Sequence, residues 1–160
     1  MAQNFSFEEI MNSLVSDAES VSSDLSVEDK AKITKAGADA FAKGLEKVTK
    51  EKHYRNRKTG EDPHLADSIV SQNKNIDGVK DGNSVVGWTT EKAHIARYIN
   101  NGTRFPMYSK SGKKYRKGGQ VAVTADPFVS TYRESSEAQN AILEAESQVF
   151  SEILKKKGAE

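Results

Sequence analysis

The chain has 160 residues, of which 36% are hydrophobic and 29% charged, and its formal net charge is +1. With a mean hydropathy of −0.70, this length suits one domain with a small core. Because cysteine is absent, we exclude disulfides and thiolate metal sites. The sequence has no apolar run of membrane-spanning length and no basic-then-apolar leader, so we expect a soluble, unsecreted protein.

The first predicted element is an amphipathic helix over residues 6–21. Ser6 is a candidate N-cap, and Glu9 stands three residues later as in a capping box. Apolar residues then follow at helical spacing: Phe7, Ile10, Met11, Leu14, Ala18 and Val21. A serine-rich stretch ends this helix, so residues 1–25 form an acidic N-terminal segment and residues 26–160 a single α+β domain. Two arrangements of the segment stay open: packing on its own domain, or docking on a neighbouring copy.

The second predicted helix begins after Ser26 and ends near Lys52. The Ser26 hydroxyl is suited to cap the first backbone amides, and acidic residues follow at the positive end of the helix dipole. The clearest 3.6-residue period in the chain is formed by Ile33, Ala36, Gly37, Ala40, Phe41, Gly44, Leu45 and Val48. Because Gly37, Ala40 and Gly44 are small, we expect a helix or a sheet to approach this face closely.

Residues 53–62 are polar, basic and interrupted by glycine, which indicates a loop. Three potential metal ligands lie in or beside it, namely His53, Asp62 and His64. Their spacing matches no zinc pattern, and the remaining histidine, His94, is far along the chain. We therefore expect no metal and no other cofactor.

A β-hairpin is predicted next. After an entry turn at Leu65, one strand passes through Ile69 towards Ile76, and its partner covers residues 84–89. The residues 80–83, Lys-Asp-Gly-Asn, have the turn chemistry of a hairpin because glycine and asparagine tolerate positive φ. We expect Trp88 on the buried face, since a lone tryptophan in an apolar strand is usually part of a core.

A short amphipathic helix follows over residues 93–101. Gly102 comes directly after it, and a glycine in the left-handed conformation commonly ends a helix. The apolar residues on which this prediction rests are Ala93, Ile95, Ala96, Tyr98 and Ile99.

Residues 103–120 form a basic insert in which aromatic residues are interleaved with cations and glycines. Its cations are the candidate residues for assembly or DNA contact: Arg104, Lys110, Lys113, Lys114, Arg116 and Lys117. Cations bind phosphates and aromatic rings stack on bases, so nucleic acid is one possible partner. An arm that binds an acidic protein surface and a plain mobile loop remain open as alternatives. The glycines suggest a hairpin whose return strand covers residues 120–124.

Charge is divided unevenly along the chain. Residues 1–29 contain seven acids and no Lys or Arg, whereas residues 92–125 contain eight bases and no acid. Opposite potentials steer and align interfaces, so this division favours head-to-tail contacts between copies. The alternative is that both stretches are solvated faces.

The last predicted element is one long helix from Pro127 to about Lys156. Asp126 suits the N-cap position, and Pro127 fits the first turn because its missing N–H costs nothing there. Apolar residues continue at helical spacing through Phe128, Tyr132, Ala138, Ile142, Ala145, Val149 and Ile153. At 1.5 Å per residue the helix would be roughly 45 Å long, more than a domain of this size needs. We therefore expect part of it to pack on another copy.

These elements predict an α+β fold. It has two N-terminal helices, a small and mostly antiparallel sheet of three to four strands, a short central helix and a long C-terminal helix. The sequence contains no Gly-rich phosphate loop, no G-x-S-x-G elbow, no H-E-x-x-H and no recognisable catalytic pair of carboxylates. We therefore expect a protein that is not an enzyme.

Several short motifs occur in an order that resembles a known family. Residues 63–69 come first, then Trp88 within Val-Gly-Trp, then residues 93–99 and Asn101-Gly102-Thr103, and finally residues 125–129, Ala-Asp-Pro-Phe-Val. The chain resembles the small tail-completion or neck proteins of long-tailed bacteriophages. In that comparison, residues 107–120 are a long insertion between the Gly-Thr and Pro-Phe motifs.

The resemblance implies a structural virion protein of the phage neck. Such a subunit would assemble as a ring, expected to be a hexamer, between the capsid connector and the tail tube, after assembly in the cytoplasm of the host bacterium. Its partners would be further copies, other head–tail connector and tail proteins, and packaged DNA contacted without sequence specificity. The motifs assign a structural core to Trp88, Ala96, Ile99, Gly102, Pro127 and Phe128. The alternatives are a tail terminator ring subunit and a small nucleic-acid-binding module.

Overall fold

The computed structural model describes residues 25–54, 63–103, 111 and 123–157. Within these ranges the α+β class is confirmed, whereas the predicted helix over residues 6–21 lies outside them. The elements in chain order are α1 (Val27–His53), a 3-10 turn (Ala66–Ser68), β1 (Ile69–Gln72), β2 (Val85–Trp88), α2 (Thr90–Asn101), α3 (Phe128–Arg133) and α4 (Ser136–Lys157).

Helix α1 begins as its sequence predicts. The backbone N–H of Asp29 donates to the Ser26 hydroxyl at 3.1 Å, which satisfies one of the amides that a helix start leaves free. A side-chain hydrogen bond with Ser26, together with the nearby Lys157 and Lys32, holds the pKa of Asp29 below its ordinary value. The helix ends at His53, one residue beyond the predicted Lys52.

Helices α1 and α4 pack against each other in antiparallel directions. Asp29 at the start of α1 pairs with Lys157 at the end of α4 at 3.2 Å. The Glu146 side chain lies against Gly37, and the Tyr132 hydroxyl lies against Gly44, where a Cβ atom would overlap it. The predicted close approach to this glycine-containing face is therefore confirmed at both positions. A Cβ atom at Gly44 would overlap the ring of the buried Tyr132, whereas at Gly37 the flexible Glu146 side chain could move away.

The described part of the chain contains a sheet of two strands. Strands β1 and β2 pair antiparallel, with Ile69 opposite Trp88 and Gln72 opposite Val85. The prediction of three to four strands is not confirmed. Of the proposed return strand, residues 120–122 lie outside the description, and residues 123–124 are not in a strand.

Strand β1 ends at Gln72 and does not continue towards Ile76 as predicted. The residues after it use their own polar side chains for turns: Asn75 Oδ1 accepts from the Val79 N–H at 2.9 Å, and Asn75 Nδ2 donates to Asp81 at 2.9 Å. Such side-chain bonds compete with strand pairing. Ile76 is consequently 93% exposed.

Two polar contacts fasten the hairpin to α1. The Thr34 hydroxyl donates to the Gly82 carbonyl at 2.7 Å, and Lys35, Asp39 and Ser71 form a cluster of mutual hydrogen bonds. Burial acts to raise the pKa of Asp39, but hydrogen bonds from Lys35 and Ser71 outweigh it and hold that pKa below its ordinary value. The cluster holds strand β1 against helix α1.

The predicted single C-terminal helix is wrong, because the chain breaks it after Arg133. The Ser135 hydroxyl donates to the Tyr132 carbonyl at 2.7 Å and accepts from the Ala138 N–H at 3.2 Å. The first bond satisfies a carbonyl at the end of α3, and the second caps the start of α4. Serine is common at helix ends because its hydroxyl can make such bonds. Pro127 is the N-cap of α3 and so precedes the first turn in which it was expected.

The core is small and lies where α1, α3 and α4 meet the hairpin. Phe128 and Ala138 are fully buried, and Leu45 and Tyr132 nearly so. Residues packed around this cluster come from α1, both strands, α2 and α3, and are Phe41, Val48, Ile69, Val86, Trp88, Ile99 and Val129. None of the helices within the described ranges is long and apolar enough to cross a membrane.

Candidate functional site

The predicted contact residues of the basic insert lie outside the described ranges, but the base of the insert lies within them. Thr103 and Val123 flank it and bind each other. The Thr103 N–H donates to the Val123 carbonyl, and the Val123 N–H donates to the Thr103 hydroxyl, both at 2.9 Å. The two residues that precede and follow the segment 104–122 are therefore held side by side.

Gly102 makes this closed base possible. It ends α2 with a φ of 72°, a conformation that disfavours residues with a Cβ atom. A Cβ at this position would also lie 2.9 Å from the Val123 carbonyl oxygen and the Ala125 nitrogen. The glycine stop predicted from sequence thus has a second role, because it lets the returning chain cross the end of α2.

The segment that follows the insert is fixed to α1 and α2. The Asp126 N–H donates to the Ile99 carbonyl at 3.0 Å, and the Val129 N–H donates to the Asn100 side chain at 3.3 Å. The Asp126 carboxylate lies 3.3 Å from His53 Nε2 and 3.6 Å from Lys52 Nζ. Sequence reasoning assigned Asp126 only as an N-cap and missed this link to the end of α1.

The residues proposed as a structural core lie around the base of the insert. Phe128 is fully buried, and its ring meets the edges of His53 and Trp88, with centroid separations of 4.7 and 6.1 Å. Trp88 is half-buried, and its indole N–H donates to the Leu65 carbonyl at 3.1 Å. Ala96 is buried, Ile99 packs on the core, and Gly102 and Pro127 are the two chain junctions beside it.

The outer face of α2 lies next to this base. Tyr98 is 47% exposed and Val123 is 41% exposed, and His94 stacks edge-on against Tyr98. Sequence reasoning placed Tyr98 among the apolar residues of the helix, whereas its side chain lies at the surface and Lys92 is buried. The helix begins at Thr90, three residues before the predicted start, so it includes Lys92.

The described residues do not support a metal site. No group of three or more His, Asp or Glu side chains within them is placed to hold an ion. His53 faces Asp126 and Phe128, and His64 stacks against Tyr54. Asp62, the third residue of the grouping considered from sequence, lies outside the described ranges.

A cleft of about 360 Å³ opens between α1, α4 and the hairpin. Its walls are mainly apolar, with Phe41, Val86 and Ile142 among them, and Glu146 and Arg133 add charge. Burial raises the pKa of Glu146, because a carboxylate loses hydration there. A partly buried carboxylate between two helices destabilises the fold when it is ionised.

We expect Glu146→Gln to stabilise the protein at neutral pH. When the pKa of a carboxyl group is higher in the folded than in the unfolded state, the group does not oppose folding at a pH below its unfolded pKa, where it is protonated in both states. As the pH rises through the folded-state pKa the group ionises, and the protein loses stability. Thermal unfolding at pH 7.5 should show an increase in Tm of about 1–3 °C. At pH 4 the native Glu146 is already protonated, so the two proteins should have equal Tm values there. Equal Tm values at pH 7.5 would show that Glu146 is well solvated.

A family model described as "Bacteriophage HK97-gp10, putative tail-component" matches residues 12–102, more than half of the chain. The matched region includes α1, both strands and α2, and it ends at Gly102, before the basic insert and Phe128. No curated protein and no solved structure matches the chain significantly.

Proposed function

This chain belongs to the HK97-gp10-like family of bacteriophage tail components, and from that premise we propose that it is a neck subunit that completes the tail and joins it to the head. The family match is the observation that carries the proposal. It confirms the resemblance to phage tail proteins at the level of a tail component. The role in head–tail joining, the virion neck as location and assembly in the host cytoplasm are parts of the proposal.

The described fold supports a structural role. The hairpin, α2 and the start of α3 meet at Phe128, and hydrogen bonds at Thr103, Asp126 and Asn100 close the base of the insert. Such a base presents the insert from a rigid platform. In this proposal the protein has no catalytic activity and needs no cofactor, because its work is to hold neighbouring virion proteins together.

The proposed assembly is a ring of six copies between the capsid connector and the tail tube. A ring requires heterologous contacts, in which two different surfaces of the subunit meet and the rotation closes. The uneven charge of the sequence, acidic over residues 1–29 and basic over residues 92–125, supports contacts of this kind between copies. The same ring at the end of the tail tube, as a tail terminator, is the alternative position.

Genetic complementation tests this proposal. A phage that lacks the gene should produce filled heads and complete tails that remain separate, and supply of the protein in trans should restore joined, infectious particles. Defective tails without free complete ones would favour the terminator position. Normal joined particles from the deleted phage would overturn both structural roles.

The basic insert favours a second function, which is contact with the DNA that passes through the ring. If all six predicted cations neutralised phosphates, the DNA-binding constant would fall by about five orders of magnitude for each tenfold rise in salt concentration. Binding of a short duplex should therefore disappear between low and physiological salt, whereas ring assembly through buried faces should persist. DNA contact by the insert would be rejected if the duplex did not bind at low salt, or if its binding did not depend on salt concentration.

A further inference from the structure

Helix α4 has an inner apolar stripe that faces the core and an outer stripe that is partly apolar and partly exposed. The inner stripe contains the buried Ala138 and Ile153. The outer stripe consists of Leu143, Ser147, Phe150, Leu154 and Lys157. Its apolar members include Leu143, which is 63% exposed, and Leu154, which is 39% exposed, whereas Lys157 binds Asp29. A surface helix needs one apolar stripe to face its core, so the outer stripe indicates a second packing partner.

The N-terminal segment has a matching stripe. Residues 7, 11, 14, 18 and 21 are Phe, Met, Leu, Ala and Val, and their spacing of 4, 3, 4 and 3 equals that of the outer stripe of α4. Two helices that share this spacing form a heptad seam when they run parallel. Aligning the stripes pairs Met11 with the small Ser147, and the small Ala18 with Leu154.

The path of the chain favours the same orientation. Helix α1 begins beside the last turn of α4, where Asp29 binds Lys157 at 3.2 Å. Residues 22–25 therefore have only to cross from α1 to the adjacent helix, a distance of about 8–10 Å that four residues easily span. A helix that precedes α1 through so short a connection runs antiparallel to α1, and hence parallel to α4.

Charge adds a further argument. Residues 1–24 contain five acids and no Lys or Arg, and α4 ends with three consecutive lysines, Lys155 to Lys157. In the parallel register, Asp17 and Glu19 lie at the height of this basic end. The family match also begins at residue 12, so the second half of the segment is part of the region shared with the family.

We propose that residues 6–21 form a helix that packs parallel to α4 on the outer stripe of the same copy. Phe7 then lies at Leu143, Leu14 at Phe150 and Ala18 at Leu154. Docking within one copy is favoured because a short linker gives the segment a local concentration in the millimolar range. This inference does not rest on the proposed neck function, since it concerns the isolated subunit, but it places Asp17 and Glu19 on α4 of the same copy and not at a contact between copies.

Disulfide trapping tests the register directly, because the native chain has no cysteine. Two contact pairs, Ala18→Cys with Leu154→Cys and Phe7→Cys with Leu143→Cys, should oxidise to disulfides within single chains, since bonded cysteines need Cα atoms within about 7 Å. The control Ala18→Cys with Glu152→Cys places its second thiol on the opposite side of α4. Non-reducing electrophoresis and mass measurement should show about tenfold less bond formation in this control.

Each other result contradicts the proposal in a defined way. Disulfide-linked dimers from the contact pairs would show that the segment docks on another copy. Bond formation in Phe7→Cys with Leu154→Cys would show an antiparallel arrangement, because these positions lie at opposite ends of the parallel seam. Equal yields in contact and control pairs would show that the segment does not dock on this stripe. Circular dichroism of each reduced variant, unchanged from the native protein, verifies that the fold is intact.

Discussion

Replacing Phe128 by alanine is expected to lower the free energy of unfolding by about 3–5 kcal/mol, the usual cost of removing a buried aromatic side chain. Phe128 is fully buried, and it joins α3 to the end of α1 through His53 and to the hairpin through Trp88. A domain of this size has only about 5–15 kcal/mol in total. Thermal or urea unfolding should therefore show a fall in Tm of about 10 °C or more.

The matched control is Ile76→Ala, which also removes a large apolar side chain. Ile76 is 93% exposed, so its loss should change the free energy of unfolding by less than about 0.5 kcal/mol. Phe128→Leu should fall between the two, because it keeps part of the buried volume. If Phe128→Ala had the same Tm as the native protein, Phe128 would not be the residue on which the hairpin, α1 and α3 pack.

The second large effect is expected in the basic insert. Replacing Arg104, Lys110, Lys113, Lys114, Arg116 and Lys117 by alanine or serine should abolish the joining of heads to tails. Since none of these side chains belongs to the described core, the circular dichroism spectrum and the Tm should not change. Counting joined and separate particles by electron microscopy, after complementation with this variant, measures the effect.

A charge-preserving control separates electrostatics from shape. Exchanging lysine and arginine at the same six positions keeps every positive charge, so joining should be retained if the insert acts through its charge. Loss of joining in both variants would indicate specific side-chain contacts. Normal joining and infectivity after complete removal of the charges would show that the insert has no role in assembly.

The helices were the most predictable part of the fold, for physical reasons. The sequence of helix α1 contains local signals for a helix, namely a capping serine, acids in the first turn and an apolar period. Each of these signals depends on residues that are close together in the sequence. Gly102 ends α2 with a positive φ, and a glycine after an apolar helical period can be recognised in the sequence as a helix end. The antiparallel pairing of the two strands followed from two short apolar runs around a turn, but the sequence predicted no register for them.

The errors arose where polar side chains bond locally. Ser135 divides α3 from α4 through two hydrogen bonds, although the apolar period continues across the break and predicts one helix. Asn75 and Asp81 shorten β1 in the same way. No periodicity in a sequence reports such bonds, because serine and asparagine occur both within helices or strands and at their ends.

The candidate site was predictable only in part. Its composition identified the basic insert, but the closed base between Thr103 and Val123 and the link from Asp126 to His53 join residues far apart in the sequence. Such contacts depend on how the elements pack. The exposure of Tyr98 likewise depends on which side of α2 packs against the domain.

The most direct test of the central claim is to image purified virions at a resolution that resolves the neck. The account predicts density for a symmetric ring of this fold at the head–tail joint, with six copies and with the base at Thr103 and Val123 directed towards the DNA channel or an adjoining ring. Absence of the protein from both virions and free tails would contradict the account and would leave an assembly factor or a nucleic-acid-binding module in its place.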